Sequence, residues 1–222
     1  MATPPVSVPR RPQRRGFMLA ALGAGSLLML PRVAGAGEIS SLKGTVTVNG
    51  RSANSKTPVF SGDTVETGSD SQLVFTLNED AFLLRAKSTL RLEKKTQFDP
   101  LISGLRLLSG ALAVVFGKAQ KKIYAQTFTA GIRGTGIYLE SRPEVSYFCT
   151  CYGAAELLTR ADSGNQDREL ITSPRHVSRY VYRDAQPGGS RIVAAPTINH
   201  TDEELAMLEG LVGRTCPLME AK

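Results

Sequence analysis

Over residues 37–141 the chain reads as short apolar runs broken by turn residues. Thr45-Val46-Thr47-Val48 is rich in β-branched residues and ends at Asn49-Gly50, a dipeptide that closes two-residue hairpins. In residues 72–77, Leu73, Phe75 and Leu77 fall on one face and Gln72 and Thr76 on the other. That period of two marks a half-buried strand. Asn78-Glu79-Asp80 turns the chain and residues 81–85 return it. Leu90 and Leu92 share a face, and residues 111–116 form an apolar run between Gly110 and Gly117. Residues 145–158 and 168–182 are candidate strand pairs, joined by a polar link over 161–167. The predicted fold is mainly β: a short-stranded sandwich or a solenoid-like coil, with further hairpins after residue 141.

The tail changes period. Thr201-Asp202-Glu203-Glu204 has the spacing of a capping box, and acids in a first turn suit the helix dipole. Leu205, Leu208, Leu211 and Val212 line one stripe, and Gly213 stands where a C-terminal cap belongs. This short amphipathic helix is expected to dock on the β core, with a partner surface as the alternative.

The opening residues are of another kind. Arg14-Arg15 leads into an apolar run over 17–30, followed by Ala34-Gly35-Ala36. A basic start, a greasy core and an Ala-x-Ala site read as a secretory leader over 1–36, and paired arginines point to the twin-arginine route. The run is shorter than the roughly 20 residues of a spanning helix. The expectation is therefore a periplasmic protein with no membrane span after cleavage.

This also resolves the charge. The formal net charge is +7, but residues 1–36 hold five arginines and no acid. Setting these aside leaves 22 basic residues against 20 acidic ones, so nucleic acid is not an expected partner. The local cluster of Lys118, Lys121 and Lys122 is expected to be a solvated face.

The turn residues form an ordered series. Gly44-Thr45-Val46 is followed by Gly62-Asp63-Thr64-Val65-Glu66-Thr67-Gly68, then by Leu107-Leu108-Ser109-Gly110, and finally by Arg133-Gly134-Thr135-Gly136. This series resembles the FecR-like domain, the periplasmic portion of the iron-dicitrate sensor family, and the resemblance covers residues 37–141. It implies a periplasmic β domain for signalling or binding, with an envelope protein or glycan as partner and no catalysis. In the iron sensor that domain passes an outer-membrane signal to a cytoplasmic segment controlling a sigma factor; here an export leader stands in that segment's place. The motif residues Gly62, Asp63, Thr67, Gly68, Arg133, Gly134 and Thr135 have structural readings. The glycines, with Gly110, allow positive φ or close strand approach, Asp63 can bond its own turn, and Arg133 can pair with an acid or with open carbonyls.

Residues 142–222 form a β extension that carries the candidate chemistry. Cys149 and Cys151 point to one face if residue 150 lies on a strand, with Cα atoms about 6.6–7 Å apart, near the limit for a disulfide. Together with His176 and His200 they make a Cys2His2 set by composition, suited to a metal or haem iron, although the spacing matches no zinc motif. The alternative is a disulfide from Cys216 to Cys149 or Cys151, which leaves one thiol over. A thiol-redox role is a further reading. A Cys-His nucleophile lacks a visible third residue, and no phosphate loop or dinucleotide fingerprint is present.

Overall fold

The structure, a computed structural model, describes residue 1, residues 35–94, residue 96, and residues 101–160 and 166–220. Arg14, Arg15 and Ala34 of the expected leader lie outside the described residues. The chain divides into two units, Met1–Pro31 and Arg32–Lys222, and the fold below is that of the second.

The strands are β1 (Glu38–Lys43), β2 (Val46–Val48), β3 (Arg51–Ser52), β4 (Thr64–Thr67), β5 (Gln72–Leu77), β6 (Asp80–Leu84) and β7 (Thr89–Lys94). There follow β8 (Ile102–Val115), β9 (Gln120–Tyr124), β10 (Phe128–Ser141), β11 (Val145–Thr159), β12 (Arg168–Ser173), β13 (Val177–Tyr182) and β14 (Ile192–Ala195). Two helices close the chain, α1 (Asp202–Leu211) and α2 (Pro217–Glu220). All strands join one large open sheet.

Local chemistry sets the tight turns. Asn49 and Gly50 both take positive φ between β2 and β3, as a type I′ hairpin requires. Asn78 does the same between β5 and β6. Asp80 is not part of that turn, as the sequence suggested, but opens β6 opposite Leu77.

Not every strand is short. β8 and β10 have 14 residues and β11 has 15, and each changes partners at its middle. β8 pairs with β7 and β9 before Gly110 and with β6 and β10 after it. β10 pairs with β9 up to Arg133 and with β8 from Gly136. β11 pairs with β13 up to Thr150 and with β12 from Gly153. Gly110, Gly134 and Gly153, at these three bends, have φ of 85°, 57° and 93°. Glycine is required where a strand must bend through left-handed backbone. The bends fold the sheet over itself. The sequence left a sandwich and a solenoid-like coil open; the pairing shows one large open sheet bent into two leaves around a shared core.

The main core lies between the two leaves. Phe75, Phe82, Leu112, Val114, Leu139 and Phe148 from one leaf meet Val65, Leu90, Leu105, Ile123, Phe128 and Leu157 from the other. Alternate residues of the first leaf face outward yet are also buried. Val74, Ala81, Leu83, Ala113 and Val115 pack with Leu205 and Leu208 of α1 and Leu218 of α2. The helix thus docks on the β structure. It also explains why Val74 is buried on the face that Gln72 and Thr76 mark as polar.

Lys121 is the clearest departure from expectation. It is not solvated: its side chain is 7% exposed, and Nζ donates to Ile102 O at 2.7 Å. Nζ also lies 3.3 Å from Asp80 Oδ2. Asp80 Oδ1 accepts the Gly117 N–H at 2.9 Å. A buried ion pair therefore ties β9 in one leaf to β6 in the other. Period-two alternation places Lys121 inward beside Ile123, which outweighs its charge as a guide to burial.

Candidate metal centre

Thr150 separates Cys149 and Cys151 on β11, so both sulfurs leave the same outer face of the first leaf. Both cysteines are completely buried. Their Sγ atoms are 3.8 Å apart. His176 arrives from the turn before β13, where its N–H donates to Cys151 O at 2.9 Å and its φ is 41°. His200 arrives from the segment that enters α1, one residue before the N-cap Thr201. His176 Nδ1 lies 3.6 Å from Cys149 Sγ, and His200 Nε2 lies 3.4 Å from Cys151 Sγ. The two ring nitrogens are 3.2 Å apart. One ligand atom from each of the four residues falls within 4.8 Å of all the others.

The outer atoms of both imidazoles are fixed. His176 Nε2 faces Asp202 Oδ1 at 2.6 Å, and Asp202 Oδ2 is held by Arg175 Nη1 at 2.9 Å. His200 Nδ1 faces Ile198 O at 2.7 Å. A proton on each outer nitrogen satisfies both acceptors and leaves His176 Nδ1 and His200 Nε2 free to ligate. Tyr138 stacks on His200, with ring centres 4.6 Å apart and planes 14° apart.

Electrostatics separates the two sulfurs. The contact with Cys151, joined by those with His176 and His200, pulls the Cys149 thiol well below the ordinary range. Burial pushes the Cys151 thiol up, and the neighbouring Cys149 charge adds to this. The Cys149 contact, supported by Asp202, outweighs burial and raises His176.

The four ligand-type residues of the sequence reading are therefore brought together. The disulfide expectation is corrected: Cys149, Cys151 and Cys216 are all free. Cys216 is instead buried in the apolar layer under the helices, and burial raises its thiol. Asp202 was read only as a first-turn acid, yet it orients His176. It also supplies the third residue that a Cys-His nucleophile seemed to lack. Cys149 is fully buried, however, so no substrate reaches its sulfur in this conformation.

The family-motif residues lie elsewhere and work locally. Asp63 Oδ2 accepts the Phe60 N–H at 2.7 Å, and Asp63 Oδ1 accepts from Asn49 Nδ2 at 2.7 Å. Thr67 Oγ1 donates to Arg85 O and accepts the Ser88 N–H. Thr135 Oγ1 meets Arg133 O and Ala154 O, each at 3.0 Å, beside the β10 bend. Gly62 and Gly134 take positive φ; Gly68 does not. Arg133 is exposed and forms no ion pair among the described residues.

No family model and no curated protein matches this chain. Two crystal structures described as a candidate anti-sigma factor from Parabacteroides distasonis ATCC 8503 do match. Identities are 12% and 10%, and the TM-score is 0.47 for both. Each match covers 66% of this chain and 65% or 64% of the other, so this chain spans a little under two thirds of those relatives. No helix among the described residues is long and apolar enough to cross a membrane.

Proposed function

We propose that this chain is an exported, non-enzymatic β module of the FecR-like kind, used for binding or sensing in the envelope, whose C-terminal part holds one structural zinc ion. The observation that carries the zinc is the shape of the ligand set. For zinc bonds of about 2.3 Å to sulfur and about 2.05 Å to nitrogen, a tetrahedron has edges of about 3.8 Å (S–S), about 3.6 Å (S–N) and about 3.3 Å (N–N). Four of the six observed edges are 3.8, 3.6, 3.4 and 3.2 Å, and the other two, from Cys149 to His200 and from Cys151 to His176, are at most 4.8 Å. Tetrahedral S2N2 donors favour zinc over the harder cations. Four protein ligands leave no open position, the mark of a structural and not a catalytic ion. Haem fits poorly, because four donors converging inside a buried site leave no plane for a macrocycle.

Cys149, Cys151, His176 through Nδ1 and His200 through Nε2 would hold the ion, with Asp202 and the Ile198 carbonyl orienting the rings. Zinc would supply charge neutralisation for two thiolates and a cross-link between distant segments.

Support for the envelope role comes from the sequence: the leader with Arg14, Arg15 and Ala36, and the motif series whose turn bonds the structure contains. The partner in this reading is an envelope protein or glycan, bound in the periplasm.

Elemental analysis of the full chain purified under reducing conditions tests the metal. The expected result is one zinc per chain, falling to background in the Cys149→Ser, Cys151→Ser double variant. A folded wild-type protein with no stoichiometric metal overturns it.

A further inference from the structure

The metal centre joins three pieces of chain that are remote in sequence, and only one of them belongs to the C-terminal cap, residues 199–218. That cap carries His200, Asp202, α1 and the start of α2. Beneath it lies the apolar strip of Val74, Ala81, Leu83, Ala113 and Val115 on the outer face of the first leaf.

Apart from the ligands, the leading end is held by Leu205 and Leu208 in the apolar layer, by Arg175 Nη1 on Asp202 Oδ2 at 2.9 Å and by Arg85 Nη2 donating to Asn199 O at 3.1 Å. A ten-residue helix is marginal on its own. Arg85 pairs with Glu204 at 2.8 Å, but both side chains are about a quarter exposed, and pairs of that kind contribute little. Asn199 Nδ2 donates to Glu140 Oε1 at 2.7 Å. Against these, the cap brings Asp202, Glu203, Glu204 and Glu209 with Arg214 as its one basic residue. Its first turn sits beside two sulfurs that are both anionic when they ligate. A divalent ion removes that clash and binds the cap through His200 and, by way of His176, Asp202. The trailing end is held differently, by Tyr152 Oη donating to Glu209, Arg214 Nη1 donating to Glu79 O and Arg175 Nη2 donating to Leu218 O.

Resting on the zinc reading above, we propose that metal occupancy is a latch for the C-terminal cap. With the ion bound the cap is docked and the strip is covered; without it the cap detaches from its His200 end and the strip opens, while the two-leaf β structure persists. The main core explains the persistence, since it uses no residue of the cap.

Hydrogen–deuterium exchange on the full chain decides this, with zinc present and after removal by a strong chelator under reducing conditions, and with metal counted in the same samples. The expected result is exchange about tenfold faster or more in peptides from 199–218, with β4–β9 unchanged. The Cys149→Ser, Cys151→Ser double variant should show the metal-free pattern in zinc. Loss of metal with unchanged protection of the cap overturns the latch, and so does loss of protection in every strand at once. A chain that holds no metal at the outset overturns the zinc reading itself, a result distinct from either.

Discussion

His176 Nε2 stands 2.6 Å from Asp202 Oδ1, so the first residue of α1 orients a ring that rises from the turn before β13. Orienting partners of this kind tune metal affinity through the ligand they hold. Asp202→Asn keeps the shape but loses the anionic acceptor. Zinc affinity should fall about 10–100-fold, read by competition with a chromophoric chelator. An unchanged affinity would show that Asp202 serves only the helix.

The buried pair of Lys121 and Asp80 gives a stability prediction. Burial raises the Asp80 carboxyl above its ordinary range and outweighs the attraction of Lys121. Lys121→Met strands that carboxylate in the core and should cost about 3–5 kcal/mol at neutral pH. A group whose folded pKa is raised gives stability at low pH that is lost as pH rises through that value. The cost should therefore shrink as pH falls. Adding Asp80→Asn to the same chain should recover part of the loss. Urea melts at neutral and acidic pH check all three statements, and a cost independent of pH would contradict the assignment.

Gly153 tests the bends. A Cβ there would lie 2.9 Å from Thr135 Oγ1 and 3.0 Å from Gly134 O, on a backbone with φ of 93°. Gly153→Ala should cost about 1–3 kcal/mol. Gly131→Ala on β10, where a Cβ meets nothing within 4 Å, is the matched control and should change stability little.

The proposed export through the twin-arginine route has its own test. Arg14→Lys with Arg15→Lys keeps the charge but removes the pair, and should leave the protein in the cytoplasmic fraction. Unimpaired delivery to the periplasm would reject the twin-arginine route.

Signals confined to a few neighbouring residues were legible in the sequence. Asn49-Gly50 gives its hairpin, and the Thr201/Glu204 capping box forms as spaced. The four ligand residues were named by type alone. Their convergence was not legible, because it depends on β11 meeting segments 25 to 51 positions further along the chain. The same limit hid Asp202 behind its place in a helix first turn. It also hid the burial of Val74, since a docked helix makes both faces of β5 apolar. Lys121 was misread because its partner Asp80 lies on a strand of the opposite leaf. The sequence marks Gly110 as a strand boundary, whereas β8 bends there without ending; residues 145–158, taken as one segment, do run on through the bend at Gly153.

Zinc-edge X-ray absorption on the purified full chain tests the central claim most directly, since it reads the first coordination shell. The account predicts a four-coordinate ion with two sulfurs at about 2.3 Å and two imidazole nitrogens at about 2.0–2.1 Å. A shell of oxygens and nitrogens without sulfur, or an open water-bearing site, would contradict it.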